Sequence, residues 1–253
     1  MGKIAGSATV ANQTDGGQTR GMSGPTRERP RRSPARRIVS IALTAALAAL
    51  GVAIFVPGLL VFPYHQRVGD TDVYSESPIP TAMAEVLRRA DRRLSTSPIA
   101  GEGHGGPIFL TDGGWRWHVL ALTSSGAFAI TRPLSEAVVV NRSEVERDVV
   151  RNGRAVGGER SLSGVIAHER THSLIRGHFG FLADWRYPAE LREGYCDFVA
   201  GGGSLSDQAA RALQQSGEQH PALLYYRGRK RVEQLLSRVG GSVDRLFQEW
   251  NGT

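Results

Sequence analysis

The sequence predicts an α+β fold in which a small mixed sheet is followed by a helical half and preceded by a single transmembrane helix. Three features lead to this prediction: one long uncharged run near the N-terminus, short strand-length apolar runs between residues 107 and 141, and helical patterns from residue 143 onward. A sheet followed by a run of helices is typical of the α+β class. The 253 residues suffice for one ordinary domain with additional segments.

The positive charge of the chain is concentrated at its N-terminus. Of 31 basic and 24 acidic residues, residues 1–37 hold eight basic and two acidic ones, which leaves 23 and 22 for the remaining 216 residues. Binding to a phosphate backbone requires a basic face on the folded domain itself, so no nucleic-acid partner is expected. Residues 1–37 are polar and rich in Gly, Ser and Arg, and we expect a disordered basic tail.

The uncharged run extends over residues 38–64. It matches the roughly 20 apolar residues that a bilayer core requires, and it predicts a transmembrane anchor over residues 38–62. The alternative is a secretory signal peptide, whose apolar stretch usually covers only about 7–15 residues before a small-residue cleavage site. The greater length, with Pro57, Phe62 and Tyr64 at its end, favours an uncleaved anchor.

Seven arginines lie in the tail before this anchor. The positive-inside rule therefore places residues 1–37 in the cytoplasm of a single-pass membrane protein. Residues 66–253 are expected to form an extracytoplasmic domain. The single cysteine, Cys196, cannot form an internal disulfide, so this domain must be stabilised by its core.

The first elements of the domain follow from apolar spacing. Apolar residues three and four apart predict a helix over residues 81–94. Strand-length runs bounded by turn residues predict strands over 107–110, 126–131 and 136–141. The segment 113–125 between the first two strands fits either a helix or a strand.

Helical signals dominate from residue 143 onward. Ser143 and Glu146 have the spacing of a capping box and predict the start of a helix. Further helical segments separated by Gly-rich or Pro-containing breaks are residues 161–175, 187–201, 206–215, 222–239 and 242–250.

The segment HERTHSLIRGH, residues 168–178, carries the pattern His-Glu-x-x-His. On a helix, His168 and His172 lie on one face and can share one cation. Two imidazoles and a third ligand leave an open position on Zn²⁺, whose charge acidifies a water molecule. Glu169 can then act as the general base. The pattern predicts a zinc peptidase acting on a peptide or protein substrate.

The third zinc ligand has two possible sources. His178 lies ten positions after His168, the metzincin spacing, but the glycine expected at position 175 is Ile175. The methionine turn of metzincins lies downstream of the motif, whereas all three methionines here lie upstream. The alternative is a carboxylate from a second helix, where Glu193 is followed by Asp197. Cys196 between them is interpreted as a buried packing residue.

At ELREGYCDF the sequence resembles the gluzincins, the thermolysin-like superfamily of zinc peptidases, in which a helix after His-Glu-x-x-His carries Glu-x-x-x-Asp. The resemblance implies that Glu193 is the third zinc ligand and that Asp197 orients one of the histidines. The segment PAELREGYCDF also looks like the Pro-x-Trp-x-x-Glu-Gly pattern of the aminopeptidase-like branch, with Glu190 in place of the tryptophan.

A second fragment, Tyr225-Tyr226-Arg227-Gly228, is similar to the Tyr-x-Lys-Gly motif of the same branch. The resemblance implies that Tyr225 donates a hydrogen bond to the transition state, with Tyr226 as the substitute. It also implies that an extended peptide pairs with an edge strand, expected at residues 136–141. No Gly-x-Met-Glu-Asn segment is present, so exopeptidase action is unsupported.

Together these features predict a membrane-anchored zinc-dependent peptidase that hydrolyses peptide bonds outside the cytoplasm. The alternative is a catalytically silent, zinc-bound, membrane-tethered binding or assembly module. Such a module would not need Glu169, because a purely structural metal requires no general base.

Overall fold

The structure, a computed structural model, describes residues 34–55, 57–101, 105–132, 134–218 and 220–250. The predicted basic tail lies outside these ranges except for its last four residues. The chain separates into two units with the boundary between Thr44 and Ala45, inside helix α1, Pro34–Phe55.

The predicted transmembrane helix over residues 38–62 is not confirmed. Among the described residues, none of the helices combines the length and the apolarity needed to cross a membrane. Helix α1 ends at Phe55, and Pro57–Leu60 form a 3-10 turn instead. Pro57 explains this end, because a proline lacks the amide hydrogen that continues a helix and disfavours helical geometry in the residue before it.

The predicted mixed sheet is present and has five strands. These are β1 Tyr64–Val68, β2 Thr71–Ser75, β3 Ile108–Leu110, β4 Ala129–Arg132 and β5 Ala137–Val140. Their spatial order is β1-β2-β3-β5-β4, with β2, β3 and β5 mutually parallel and both outer pairs antiparallel. Strands β3, β4 and β5 confirm the three predicted runs, whereas β1 and β2 were not predicted.

The prediction that residues 136–141 form the sheet edge is wrong. Strand β5 lies between β3 and β4, and all four of its residues are buried. A continuous run of buried apolar residues is typical of an inner strand that is covered on both faces. The edge on this side of the sheet is β4, which is only partly buried.

The prediction that a helix starts at Ser143 is also wrong. Residues 142–144 form strand β6, Arg142–Glu144, and a 3-10 turn leads into β7, Val149–Arg151. Together with β8, Glu159–Ser161, they make a three-stranded antiparallel sheet. Ser143 pairs with Val150 in this sheet, so strand pairing takes precedence over the local capping pattern.

Two helices pack with the sheet half. Helix α2, Met83–Leu94, confirms the predicted amphipathic helix, and α3, Trp115–Ala121, shows that the ambiguous segment is helical. The buried side of α2 joins a core formed with β2, β3, β5 and the first half of α4. This core fixes the first half of α4 against the sheet.

The helical half follows the second sheet. Its helices are α4 Leu162–Phe179, α5 Ala183–Arg186, α6 Ala189–Val199, α7 Asp207–Gln215, α8 Ala222–Arg238 and α9 Val243–Glu249. A second core joins the end of α4 to α6, α8 and α9. Helices α6 and α8 approach so closely that a Cβ on Gly194 would lie 2.4 Å from the carbonyl carbon of Gly228. Only glycine permits this backbone approach.

Candidate metal centre

Helix α4 carries the His-Glu-x-x-His pattern through the middle of the domain. Its N-terminus is fixed by Ser161, whose side chain accepts a hydrogen bond from the Gly164 amide. The Asp148 carboxylate accepts hydrogen bonds from the Ser163 amide and hydroxyl, at 2.6 and 2.7 Å. The helix is buried on nearly all sides from Leu162 to Arg176, which holds His168 and Glu169 in a rigid element.

The two histidines of α4 direct the same ring nitrogen toward one carboxylate. Their ring centroids are 5.3 Å apart, with the planes at 75°. His168 Nε2 lies 3.2 Å from Glu193 Oε2, and His172 Nε2 lies 3.6 Å from Glu193 Oε1. Glu193 is supplied by α6, so the structure brings together the three side chains that the sequence predicted as zinc ligands.

The two separations between Glu193 and the histidine nitrogens are close to those between neighbouring ligands of a tetrahedral zinc site. Zn–N and Zn–O bonds of about 2.0–2.2 Å in a tetrahedral site place neighbouring ligand atoms about 3.3–3.6 Å apart. The distances from Glu193 to the two Nε2 atoms, 3.2 and 3.6 Å, fit this spacing. Two imidazoles and one carboxylate are also the donor set of a catalytic zinc site, which keeps one position open. The residues therefore fit Zn²⁺.

The opposite nitrogens of both rings also contact α6. His168 Nδ1 lies 2.8 Å from Asp197 Oδ1, and His172 Nδ1 lies 3.6 Å from Cys196 Sγ. A partner on Nδ1 orients the ring and leaves the Nε2 lone pair for a metal. Asp197 therefore lies where it was predicted, and Cys196, which was interpreted as a packing residue, contacts the second histidine.

Asp197 is itself held by a further layer of contacts. Arg160 Nη2, from β8, donates to Asp197 Oδ1 at 3.0 Å and to the Gly202 carbonyl at 2.8 Å. A Cβ on Gly203 would lie 2.4 Å from Asp197 Oδ2, so glycine is required there for the carboxylate to keep its position. Neither Arg160 nor Gly203 was predicted from the sequence.

An alternative set of metal ligands has the Cys196 thiol in place of the Glu193 carboxylate. One ligand atom each of His168, His172 and Cys196 lie within 4.8 Å of one another, so this group could also hold a metal ion. Cys196, however, faces Nδ1 of His172, whereas both Nε2 atoms face Glu193. The Nε2 side, where Glu193 contacts both rings, therefore suits both histidines better than the thiol side, because Nδ1 of His168 is engaged by Asp197.

The electrostatics of the cluster favour a cation. Burial lowers the pKa of His168, but hydrogen bonds with Asp197 and Glu193 outweigh it and raise that pKa to about 10. Burial raises the pKa of Glu193, but the neighbouring His172 and His168 lower it to about 2. Burial, together with the carboxylates led by Glu193, raises the pKa of Cys196, so its thiol stays neutral. A metal cation must therefore compete with protons for the imidazoles.

Glu169 lies beside the predicted ligands and is held by a contact from the sheet. Its side chain is buried, and Thr131 Oγ1 on β4 lies 2.8 Å from Glu169 Oε2 and 3.0 Å from the Glu169 backbone carbonyl. The hydroxyl proton can serve one of these acceptors at a time. Thr131 was not predicted, because 38 residues separate it from Glu169 and no local pattern relates them.

A cavity of about 480 Å³ opens next to these side chains. This volume lies within the range of about 300–1,000 Å³ that is usual for ligand sites. The cavity is lined by His168, Glu169, His172 and Glu193, by the β4 residues Ala129 to Thr131, and by Tyr225 of α8. The candidate zinc ligands and the sheet edge thus border one space.

The edge strand β4 presents backbone groups on this side. Phe128 accepts a hydrogen bond from the Asn141 amide, and Ile130 is paired with Val139 of β5. In an antiparallel pair the bonding direction alternates from residue to residue, so Ala129 and Thr131 direct their N–H and C=O groups away from β5. These groups can pair with an additional strand.

Of the two candidate tyrosines, only Tyr225 lines the cavity. Burial, followed by the charges of Glu193 and Asp197, raises the pKa of Tyr225, so its hydroxyl remains protonated. Tyr226 instead donates a hydrogen bond to Asp207 Oδ1 at 3.1 Å. The fragment that suggested a tyrosine therefore offers Tyr225, and not Tyr226, to a molecule in the cavity.

His178 lies apart from the predicted ligands. Helix α4 continues past Ile175 to Phe179 rather than turning back, so His178 remains on the helix. Its Nε2 atom lies 2.9 Å from Asp244 Oδ1 of α9. The geometry thus pairs His178 with a carboxylate outside the cluster.

Comparison of the chain with protein-family models, curated proteins and solved structures finds no match. The case for a function therefore rests on the geometry and chemistry of this site.

Proposed function

We propose that this chain is a zinc-dependent peptidase of the gluzincin type. His168, His172 and Glu193 bind Zn²⁺, and Glu169 is the general base. One observation carries the proposal: the Glu193 carboxylate lies between the Nε2 atoms of both histidines, at 3.2 and 3.6 Å. Further support comes from what surrounds that cluster, namely a buried glutamate, a cavity and the edge strand β4.

Zn²⁺, when bound, supplies Lewis acidity that polarises a peptide carbonyl and acidifies a water molecule. Glu169 accepts a proton from the attacking water and passes it to the leaving amine. Thr131 supports this role by donating to Oε2, which leaves Oε1 available for the proton. Because both groups lie on regular elements, α4 and β4, the carboxylate is positioned before the substrate arrives.

The β4 edge supplies the substrate-binding surface. An extended peptide can pair with the outward backbone groups of Ala129 and Thr131 by strand addition. Such pairing places a peptide bond beside Glu169, because the Thr131 side chain contacts that carboxylate directly. Main-chain pairing binds peptides of many sequences, so side-chain preference must come from elsewhere in the cavity.

Tyr225 is the candidate donor to the carbonyl oxygen as negative charge develops on it. A hydrogen bond that strengthens in the transition state lowers the barrier by about 3–4 kcal/mol in comparable sites. The raised pKa of Tyr225 keeps the hydroxyl proton available for this donation.

The second candidate function is a catalytically silent zinc-bound binding or assembly module. The two carboxylates that contact the histidines, Glu193 and Asp197, would serve such a module equally well. The buried Glu169, held by Thr131 at the cavity wall, favours the peptidase, because a structural zinc needs no base. Anchoring in a membrane, and action outside the cytoplasm, remain predictions from the sequence.

Zinc content and cleavage by the full-length chain test the two functions against each other. The variants are Glu169→Gln and, as a matched control, Glu146→Gln at an exposed glutamate on the second sheet's turn. We expect all three proteins to bind one zinc ion per chain. Cleavage of a peptide library is expected to fall by at least about a hundredfold in Glu169→Gln and to stay unchanged in Glu146→Gln. Zinc binding without any Glu169-dependent cleavage would instead support the silent module.

A further inference from the structure

The cavity beside the metal centre contains four arginines, and they differ in their partners. Arg160 is paired with Asp197, Arg176 with Glu136 and Asp184, and Arg192 with Asp184. For the guanidinium of Arg154, the part of the chain that the structure describes provides neither a hydrogen bond nor an ion pair. An unpaired guanidinium in a substrate-sized cavity is available to an anion.

Arg154 is positioned by the loop between β7 and β8. The Asn152 side-chain amide donates to the Gly126 carbonyl at 3.0 Å, and the Arg154 amide donates to Asn152 Oδ1 at 3.1 Å. A Cβ on Gly126 would lie 3.0 Å from Arg154 Nη2, so the guanidinium lies directly against that glycine. These contacts place the positive charge of Arg154 beside Gly126, which lines the cavity and lies shortly before β4 in the sequence.

Two further side chains that line the same cavity can donate hydrogen bonds to an anionic ligand. His220 Nδ1 accepts a hydrogen bond from the Ala222 amide at 3.2 Å, so a neutral His220 carries its proton on Nε2 and is a donor there. Tyr225 is close enough to Arg154 for the arginine's charge to lower the tyrosine's pKa, against the larger effects of burial, Glu193 and Asp197. Tyr225 therefore lies within the electrostatic influence of both the metal centre and Arg154.

The position of Arg154 relative to the sheet edge indicates how a substrate would reach it. A peptide that pairs with β4 at Thr131, beside Glu169, and continues toward Gly126 runs along the cavity wall to the guanidinium. Five residues of extended chain span at most about 18 Å. A substrate group bound at Arg154 is therefore only a few residues from the bond that is cleaved.

We propose that Arg154 forms a subsite for a substrate carboxylate, either an acidic side chain or the C-terminal carboxylate, a few residues from the scissile bond. This proposal rests on the proposed peptidase function, because it assigns the substrate class of the same cavity. It makes Arg154 a specificity-determining residue that acts on binding and takes no part in proton transfer.

Peptide binding to the zinc-loaded full-length Glu169→Gln chain tests the subsite without requiring cleavage. Three kinds of fluorescent peptide are compared: a neutral peptide with an amidated C-terminus, the same peptide with one glutamate moved along it, and the same peptide with a free C-terminal carboxylate. We expect the best glutamate or carboxylate peptide to bind about fivefold more tightly than the neutral one. The two charged arms distinguish an acidic side chain from a C-terminus.

The same titrations are repeated with Arg154→Gln, Arg154→Lys and Arg154→Glu, and with Arg238→Gln as a control at an exposed arginine of α8 outside the cavity. Arg154→Gln should abolish the preference, Arg154→Lys should retain most of it, and Arg154→Glu should reverse it, so that the glutamate and carboxylate peptides bind more weakly than the neutral one. Arg238→Gln should leave it unchanged. A preference below about twofold in the starting chain, or one that survives in Arg154→Gln, overturns the subsite.

The two proposals fail separately in these experiments. If the peptidase proposal is wrong, the chain with Glu169 intact cleaves no peptide, while the Arg154-dependent binding preference can still be measured. If the subsite is wrong, Glu169-dependent cleavage persists and shows no dependence on Arg154.

Discussion

The two histidines of the candidate metal centre are supported by different chemistry. His168 Nδ1 lies 2.8 Å from the Asp197 carboxylate, which is in turn bound by Arg160. His172 Nδ1 lies 3.6 Å from a neutral thiol, Cys196. The first ring is held by a charge-assisted chain of contacts and the second by a weak one. Glu193 is the one α6 side chain whose carboxylate contacts both rings.

This difference indicates how α6 organises the site. One helix supplies the candidate third ligand and the supporting groups of both histidines, at three positions within one turn. These positions are expected to contribute unequally to zinc affinity. Substitutions should weaken zinc binding most at Glu193, less at Asp197 and its contacts, and least at Cys196.

The largest effect on zinc affinity is expected at Glu193, which contacts both histidines. Glu193→Ala removes a proposed zinc ligand whose carboxylate contacts both histidines. We expect zinc binding to weaken by more than about a hundredfold, which exceeds the usual effect of removing a group that only supports a ligand. His178→Ala is the matched comparison, because His178 is paired with Asp244 instead of the cluster. Competition with a zinc indicator measures both affinities. If His178→Ala abolished zinc binding and Glu193→Ala did not, the metzincin arrangement would be correct.

The next effect concerns the strongly supported histidine. Asp197→Asn keeps the shape of the side chain but removes its charge, and should weaken zinc binding by about 10–100-fold. It also leaves Arg160 without its carboxylate partner. Thermal denaturation of the zinc-free protein separates a loss of stability from a loss of metal affinity. An unchanged zinc affinity in a folded Asp197→Asn protein would show that the carboxylate does not orient His168.

A smaller effect is expected when the same carboxylate is displaced rather than removed. In Gly203→Ala, the added Cβ would lie 2.4 Å from Asp197 Oδ2, so the carboxylate or the loop must shift. We expect zinc affinity to fall by about tenfold, within the range for a disturbed outer partner. Gly58→Ala, at an exposed glycine that, like Gly203, has no positive φ and that has no atom near its added Cβ, is the matched control. Equal effects on zinc affinity would rule out a specific contact with Asp197.

The smallest effect is expected at the weakly supported histidine. Cys196→Ala removes the partner of His172 Nδ1, and a neutral hydrogen bond contributes only about 0.5–1.5 kcal/mol, so zinc affinity should fall by about fivefold. Cys196→Ser retains an acceptor and should recover part of that loss. A decrease as large as that of Glu193→Ala would mean that the thiol is itself a ligand.

The sequence predicted the site better where its residues lie on one helix than where they come from several elements. His168 and His172, with Glu169 between them, have the spacing of one helix face, and Glu193 and Asp197 have the same spacing on α6. Periodicity defines such positions, because residues three or four apart lie on one helix face. By contrast, Thr131 and Arg160 reach the site from two different sheets, which no local pattern relates to α4.

The errors in the predicted fold have related causes. Strand β1 is almost entirely exposed and polar, so it gives no apolar alternation, and it exists through its pairing with β2. The order of strands in a sheet depends on long-range pairing, so the apolar run of β5 could not show that β4 would be the outer strand. At Ser143, a capping pattern was present, but pairing with β7 determined the structure.

The most direct test of the central claim, that Glu193 and the Nε2 atoms of both histidines bind zinc, is X-ray absorption at the zinc edge of the zinc-loaded full-length chain. The account predicts a first shell of nitrogen and oxygen only, at about 2.0–2.2 Å, with the scattering of two imidazole rings. A sulfur neighbour at about 2.3 Å would place Cys196 on the metal and contradict the claim.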